Sequence, residues 1–138
     1  QSRALTRSIP KEASVSAETQ LIPMLAERRV LLRYPFNYRY TDEQGQAHDV
    51  EWIVLQPRFK ATYAPAFRRQ ANTLEHGMNL TRHLLESGTY DIARCGPSGI
   101  LLKHRNIAAS DGQSANAGLT QCLNQEFERA QQVLSQRQ

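Results

Sequence analysis

Short apolar runs separated by polar turns make up this chain, and their order predicts alternating strands and helices. The runs Ala13 to Ala17 and Val30 to Tyr34 are short and β-tolerant, which predicts two strands. Between them, Thr19 is a preferred N-cap residue and predicts a helix whose apolar side chains face the sheet: Leu21, Ile22, Met24 and Leu25. Since two strands joined by a helix almost always form a right-handed parallel crossover, these two strands should be parallel.

Val50 to Leu55 carries the strongest strand signal, because its residues are mostly β-branched and aromatic. Its nearly continuous apolar character predicts a central strand that is covered on both faces. The polar stretch from Thr41 to Asp49, with Gly45 at its centre, predicts a loop or an open hairpin turn in front of that strand.

The second half of the chain predicts a helix, a hairpin and a final helix. Apolar residues from Leu74 to Leu85 recur at helical spacing, and Gly88 is a natural C-cap. Tyr90 to Arg94 and Ile100 to Lys103 flank a Gly-Pro-Ser-Gly turn, which is typical of a hairpin. The last segment has one apolar helical stripe, formed by Leu119, Cys122, Leu123, Phe127, Ala130, Val133 and Leu134. The predicted class is therefore α/β, with a mixed sheet that is parallel in the centre, an antiparallel edge hairpin, flanking helices and a C-terminal amphipathic helix.

These elements divide the chain into one domain and its flanks. Residues 1–8 are polar and predict a flexible lead-in, and residues 9–105 form the α/β domain. Residues 106–117 predict a loop, and residues 118–138 predict a helix that packs on the domain or on a partner. Arg58 to Asn72 mixes aromatic and basic side chains and predicts a loop with a short helix after Pro65.

Size and charge narrow the class of protein. At 138 residues the chain has the length of one domain, and no stretch approaches the roughly 20 apolar residues that span a bilayer. It begins at Gln1 instead of a methionine, so we expect an excised fragment or a processed product. The net charge of +4 is carried mainly by arginine and is scattered among acids, which favours a solvated surface over a dedicated nucleic-acid interface.

The two cysteines, Cys95 and Cys122, are too few for a zinc site and have no CxxC spacing. They would pair in a disulfide if the domain lies outside the cytoplasm. Because free cysteine is among the most frequently buried residue types, the sequence favours two buried free thiols.

The best candidate for a contact region follows the first predicted helix. Arg28 and Arg29 end that helix, where positive charge complements the C-terminal dipole, and this structural role is the favoured interpretation. The alternative is that they bind phosphate, in lipid head groups or in a pyrophosphate-linked sugar. The stretch from Tyr34 to Tyr40 alternates aromatic with polar or basic residues, and it either extends this surface or packs as an edge strand. The predicted binding residues are Arg28, Arg29, Arg33, Tyr34, Tyr38 and Arg39.

Catalytic patterns give little support for an enzyme. The four histidines, His48, His76, His83 and His104, are far apart and lack HExxH spacing, so no metal site is predicted. Gly96 to Gly99 is better explained as a hairpin turn than as a nucleophile elbow or a phosphate loop. The chain is therefore expected to contribute no catalytic residue and to bind no cofactor.

Several motifs occur in an order that resembles a known family. Along the chain these are Ile9-Pro10, Ala13 to Ala17, Leu21, Pro23, Leu25, Arg28-Arg29, Tyr34-Pro35, Trp52 to Leu55, Leu84-Leu85-x-x-Gly88-x-Tyr90 and Gly99 to Lys103. From residue 9 to about residue 105 the chain is similar to the C-terminal soluble region of the domain-of-unknown-function 2079 family of bacterial membrane proteins. The resemblance implies a parent like the polytopic glycosyltransferases that use lipid-linked sugars, with this domain on the extracytoplasmic face of the inner membrane. It also implies that the catalytic acid lies between early membrane spans, outside this chain.

Three functional hypotheses follow. The favoured one is a non-catalytic extracytoplasmic accessory domain of a polytopic, glycosyltransferase-like membrane protein, which covers a membrane-embedded site or binds acceptor. Its expected partners are the membrane-spanning part of the same polypeptide and lipid-linked sugar or lipid head groups. The alternatives are a stand-alone basic module that binds nucleic acid or another anion, and a small α/β enzyme. Nucleic acid is disfavoured because the chain lacks lysine clusters and recognised nucleic-acid motifs.

Overall fold

Strands and helices alternate along the chain in the computed structural model, which describes residues 2–7, 9–25, 28, 30–57, 68–105 and 116–136. Within these ranges the strands are β1 (Val15–Ala17), β2 (Leu31–Arg33), β3 (Arg39–Thr41), β4 (Ala47–Asp49), β5 (Trp52–Leu55), β6 (Tyr90–Gly96) and β7 (Gly99–His104). The helices are α1 (Ser2–Arg7), a 3₁₀ helix (Thr19–Leu25), α2 (Arg68–Glu86) and α3 (Asn116–Gln136).

Five of the described strands form one mixed sheet in the order β2-β1-β5-β7-β6. β1 lies parallel to both β2 and β5, with Val15 opposite Leu31 on one side and opposite Trp52 on the other. β7 is antiparallel to β5 and to β6, so the β6–β7 hairpin forms one edge of the sheet. The predicted α/β class, with parallel strands and an antiparallel edge hairpin, is confirmed. β3 and β4 pair separately as a small antiparallel hairpin.

Both faces of the sheet are covered, because successive side chains along each strand point in opposite directions. One face packs under α1 and the 3₁₀ helix, and this core contains Leu5, Ile9, Val15, Ala17, Leu21, Leu25, Trp52, Val54 and Leu101. The other face packs under α2 and α3, and its core includes Ile53, Leu55, Leu74, Met78, Leu84, Ile92, Ile100, Leu102, Leu123, Phe127 and Ala130. β5 contributes to both cores, as predicted for a central strand.

Residues Ser2–Arg7 form a short docked helix, α1, within the segment 1–8 for which a flexible lead-in was predicted. Leu5 and Thr6 of α1 are buried, and Leu5 lies in the same core as Ile9. The Ile9 N–H also donates to the Thr6 carbonyl at 3.1 Å. Burial of two apolar side chains four residues apart stabilises the segment against the rest of the domain.

The segment Thr19–Leu25, which follows β1, is a 3₁₀ helix instead of the regular helix predicted from Thr19. Pro23 lies inside it and has no N–H to donate, so a regular helical ladder cannot run through that position. Leu21 and Leu25 are buried as predicted, but Met24 points outward with 48% of its surface exposed. The predicted sheet-facing set is therefore wrong at Met24.

The polar stretch from Thr41 to Asp49 forms the turn and the second strand of the β3–β4 hairpin. Gly45 has a φ of 81°, a backbone conformation that glycine adopts without steric cost. Asp42 Oδ1 accepts the backbone N–H groups of Gln44 and Gln46, each at 2.9 Å. The Gln46 N–H in particular holds the pKa of the Asp42 carboxyl below its ordinary value. Of the two predictions for this stretch, the hairpin turn is confirmed.

The C-terminal elements agree with the predicted order. α2 is followed by Gly88 with a φ of 79°, as expected for its C-cap, and α3 packs against β6. α2 begins at Arg68, so the end of the Arg58 to Asn72 segment is helical. The predicted short helix after Pro65 and most of the predicted loop over residues 106–117 lie outside the described residues.

Candidate functional site

A cleft of about 650 Å³ opens between α1, the loop that follows it and the 3₁₀ helix. We call it the N-terminal cleft, and its described lining residues are Thr6, Arg7, Ile9, Lys11, Pro23, Met24, Leu25 and Arg28. Arg28 ties two of its walls together, because its guanidinium donates to the Pro10 carbonyl and, at 3.2 Å, to the Ile9 carbonyl. The cleft is thus built by tertiary docking of the first residues onto the 3₁₀ helix.

The N-terminal cleft is positively charged. Of its described lining residues, Arg7, Lys11 and Arg28 are cations and none is acidic. Arg7 and Lys11 are exposed, and Arg28 is partly buried. Burial lowers the pKa of Arg28 from its ordinary value, but a guanidinium keeps its proton in proteins. The arrangement suits an anion that contacts two or three cations at once, and Met24 places apolar surface beside them.

The predicted contact region is divided among several environments. Arg28 lies in the N-terminal cleft, where its bonds to the Ile9 and Pro10 carbonyls give it a structural role as well. Arg33 is exposed at the end of β2, and Arg29 lies outside the described residues. The sequence therefore identified one residue of the cleft and missed Arg7 and Lys11, which fell in the predicted lead-in and in the loop after it.

Tyr38 and Arg39 belong to the β3–β4 hairpin side of the molecule. The Arg39 guanidinium lies 5.5 Å from the centre of the Tyr38 ring, and its Nε donates to Asp49 at 2.8 Å. The hydrogen bond to Asp49 raises the pKa of Arg39. Because a carboxylate already neutralises this cation, Arg39 is a weaker candidate for binding an external anion than the prediction supposed.

Tyr34 is a core residue, which corrects its assignment to a surface contact region. Its side chain is fully buried, and its hydroxyl lies 2.8 Å from Thr81 Oγ1 in α2. Thr81 itself donates to the Gly77 carbonyl at 2.7 Å, so the Tyr34 hydroxyl is the donor in the first bond. Burial raises the pKa of the Tyr34 phenol far above its usual range.

We expect Tyr34→Phe to lower the free energy of unfolding by about 1–1.5 kcal/mol, because Thr81 Oγ1 stays buried and loses a hydrogen bond. Tyr38→Phe is the matched control, since the Tyr38 hydroxyl has no hydrogen bond within the described ranges, and its effect should stay below about 0.5 kcal/mol. Urea titrations followed by the fluorescence of Trp52 measure both variants. Equal losses in the two would contradict the assigned role of Tyr34.

A buried polar cluster lies where β1 and β5 end. Glu18 and Gln56 directly follow these neighbouring parallel strands, and both residues are buried. Glu18 Oε1 accepts the backbone N–H of Gln56 at 2.5 Å and the Gln20 amide at 3.0 Å. The Gln56 amide donates to the Ser98 carbonyl at 2.8 Å, so the cluster ties both strands to the β6–β7 turn.

This cluster occupies the topological switch point of the sheet. The chain continues from β1 towards β2 on one side and from β5 towards β6 on the other, and open α/β sheets usually bind ligands in such a crevice. Here only 2% of Glu18 is exposed, and its carboxylate is occupied by protein donors, so the cluster serves the fold. The sequence signal for this cluster is a polar residue directly after each of two apolar strands, Glu18 after β1 and Gln56 after β5.

Other acidic groups and histidines make local contacts. His48 Nε2 lies 2.6 Å from Asp42, and His104 Nε2 lies 3.5 Å from Asp49. No three His, Cys, Asp or Glu side chains gather as metal ligands in the described part of the chain. These histidines and acidic groups therefore do not form a second candidate site beside the N-terminal cleft.

Cys95 of β6 and Cys122 of α3 are joined by a disulfide, which corrects the expectation of two buried free thiols. The two residues are 27 positions apart in sequence, and their Cα atoms lie 6.1 Å apart. The two cysteines come close together because α3 lies against β6. This is a long-range contact, which the spacing of two cysteines in the sequence cannot indicate.

The sequence of the chain matches one family model, whereas the comparisons with curated proteins and solved structures found no match. No helix within the described ranges is both long enough and apolar enough to cross a lipid bilayer. A family model described as a predicted membrane protein, DUF2079, matches residues 1–102 of the 138, and this confirms the resemblance seen in the sequence. The chain therefore belongs to the DUF2079 family of predicted membrane proteins.

Proposed function

We propose that this chain is a non-catalytic, extracytoplasmic domain of a membrane protein. The observation that carries the proposal is the disulfide between Cys95 and Cys122. Structural disulfides persist in oxidising compartments and are rare in the cytoplasm, where thiols are kept reduced. In a family of predicted membrane proteins, a domain with such a bond fits the side of the membrane that faces away from the cytoplasm.

The domain would be accessory to a membrane-embedded site in the same polypeptide. The resemblance to polytopic glycosyltransferases that use lipid-linked sugars supports this role, with the domain covering the site or binding acceptor. The contacts of its own acidic groups are compatible with it, since Glu18 caps the end of β5 and Asp49 pairs with Arg39. Within the described residues, no specific contact favours the nucleic-acid module or the small enzyme.

The test is the redox state of the two cysteines in the native membrane protein. Cells are treated with an alkylating reagent before lysis, the protein is digested without reductant, and the peptides are analysed by mass spectrometry. We expect one linked pair of peptides containing Cys95 and Cys122, which separates only after reduction. Two alkylated peptides from unreduced cells would overturn the extracytoplasmic placement, because the bond would then be absent where the protein works.

The accessory role has a separate test in the full-length protein. Glu18→Gln preserves the shape of the side chain and should leave any glycosyl-transfer activity unchanged once expression is normalised. Loss of activity in a variant that still folds, judged by an unchanged circular dichroism spectrum and melting temperature of this domain, would contradict the proposal that no residue of the chain is catalytic.

A further inference from the structure

We infer that the N-terminal cleft binds the phosphate of anionic lipid head groups, so that this face of the domain lies on the membrane surface. The inference deepens the proposed function and rests on its placement of the domain beside a membrane. Its evidence is the combination of Arg7, Lys11 and Arg28 in one cleft with the half-exposed apolar residue Met24. Basic groups close to apolar surface match the boundary between head groups and acyl chains.

Arg28 is held in place before any ligand arrives. Two of its N–H groups donate to the Ile9 and Pro10 carbonyls. A guanidinium has five N–H donors, and its bonds to described residues use two of them; the planar fork suits phosphate oxygens. The position of α1 is likewise set by the buried side chain of Leu5, which keeps Arg7 at the edge of the cleft. The guanidinium of Arg28 therefore needs little ordering on binding.

The charges in the cleft are available to an external anion. Neither Arg7 nor Lys11 forms an ion pair with any residue that the structure describes. Elsewhere, Arg39 pairs with Asp49 at 2.8 Å and Arg105 pairs with Asp91 at 2.6 Å. Among the residues that the structure describes, Arg7 and Lys11 of the cleft thus lack the carboxylate partners that Arg39 and Arg105 have, which favours the cleft over the hairpin surfaces for contact with an anionic bilayer.

Vesicle sedimentation tests the inference with the oxidised chain. Vesicles of phosphatidylcholine mixed with phosphatidylglycerol are compared with vesicles of phosphatidylcholine alone. Each basic residue near an anionic surface raises the partition constant about fivefold, so Arg7→Gln combined with Lys11→Gln should weaken binding about 25-fold. The matched control is Arg129→Gln, which removes an exposed cation of α3 outside the cleft and should leave binding within about twofold.

The vesicle experiment has separate outcomes for lipid binding, binding of a free anion and binding of nucleic acid. Binding to the anionic vesicles that falls in the cleft variant and persists in Arg129→Gln supports the inference. Equal binding to both kinds of vesicle, or equal losses in both variants, would overturn it. Inorganic phosphate that binds in calorimetry while anionic vesicles do not would assign the cleft to a free anion, and duplex DNA that binds as tightly as the vesicles would assign it to nucleic acid. None of these outcomes changes the redox state of Cys95 and Cys122 in cells, so failure here leaves the compartment assignment intact.

Discussion

Replacing both cysteines, as Cys95→Ser with Cys122→Ser, is expected to lower the free energy of unfolding by about 3.5 kcal/mol in the chain-entropy model. The disulfide links residues 27 positions apart, so its loss returns that loop-closure entropy to the unfolded chain. The loss should appear as a lower urea midpoint, measured without reductant by the fluorescence of Trp52.

A reductant provides the internal control for this result. The native chain in dithiothreitol should unfold at nearly the same urea concentration as the double variant, and the double variant should not respond to dithiothreitol. A native chain whose midpoint is unchanged by reduction would show that the bond adds nothing to stability.

Gly99→Ala should lower the free energy of unfolding by about 2–3 kcal/mol. Gly99 has a φ of 147°, which side-chain-bearing residues rarely adopt. A methyl group there would lie 2.6 Å from Leu5 Cδ2 and 2.9 Å from the Leu55 carbonyl oxygen. The side chain of Leu5 can move, but the backbone of the central strand cannot, so the strain persists.

Gly96→Ala is the matched control, because Gly96 lies at the other end of the same turn and is paired with Gly99. A Cβ on Gly96 would meet no heavy atom within 4 Å, so its effect should stay within about 0.5 kcal/mol. Thermal and urea unfolding of the two variants, side by side, measure the difference. Similar stabilities of both variants would mean that the turn relaxes to accept a side chain.

Local patterns predicted the sheet well, because strand propensity and the apolar pattern of a strand are local in sequence. The continuous apolar run from Trp52 to Leu55 indicated a strand covered on both faces, and its residues do enter both cores. The same local signals failed where a short element depends on tertiary contacts. α1 has only six residues, and its helical form accompanies the docking of Leu5 beside Ile9, which composition does not reveal.

The candidate site was predicted only in part, for a related reason. Arg28 was recognised because it follows an apolar segment, whereas Arg7 joins it in the cleft through the docking of α1. Tyr34 was placed at the surface because alternating aromatic and polar residues do not reveal which side is covered. The covering residue, Thr81, lies 47 positions later in the chain. Sequence patterns predict the helices and strands themselves. The roles of Arg7 and Tyr34 were missed because they depend on which of these elements pack together.

Because α3 packs on the sheet, the folded domain ends later in the chain than the region that the family model matches. The family match stops at residue 102, inside β7, yet α3 supplies Leu123, Phe127 and Ala130 to the core under one face of the sheet. A chain cut at the family boundary would uncover β6, on which α3 packs, and would remove the partner of Cys95. The unit that folds therefore extends past the region that the family model matches, because the apolar face of the helix beyond it belongs to the core.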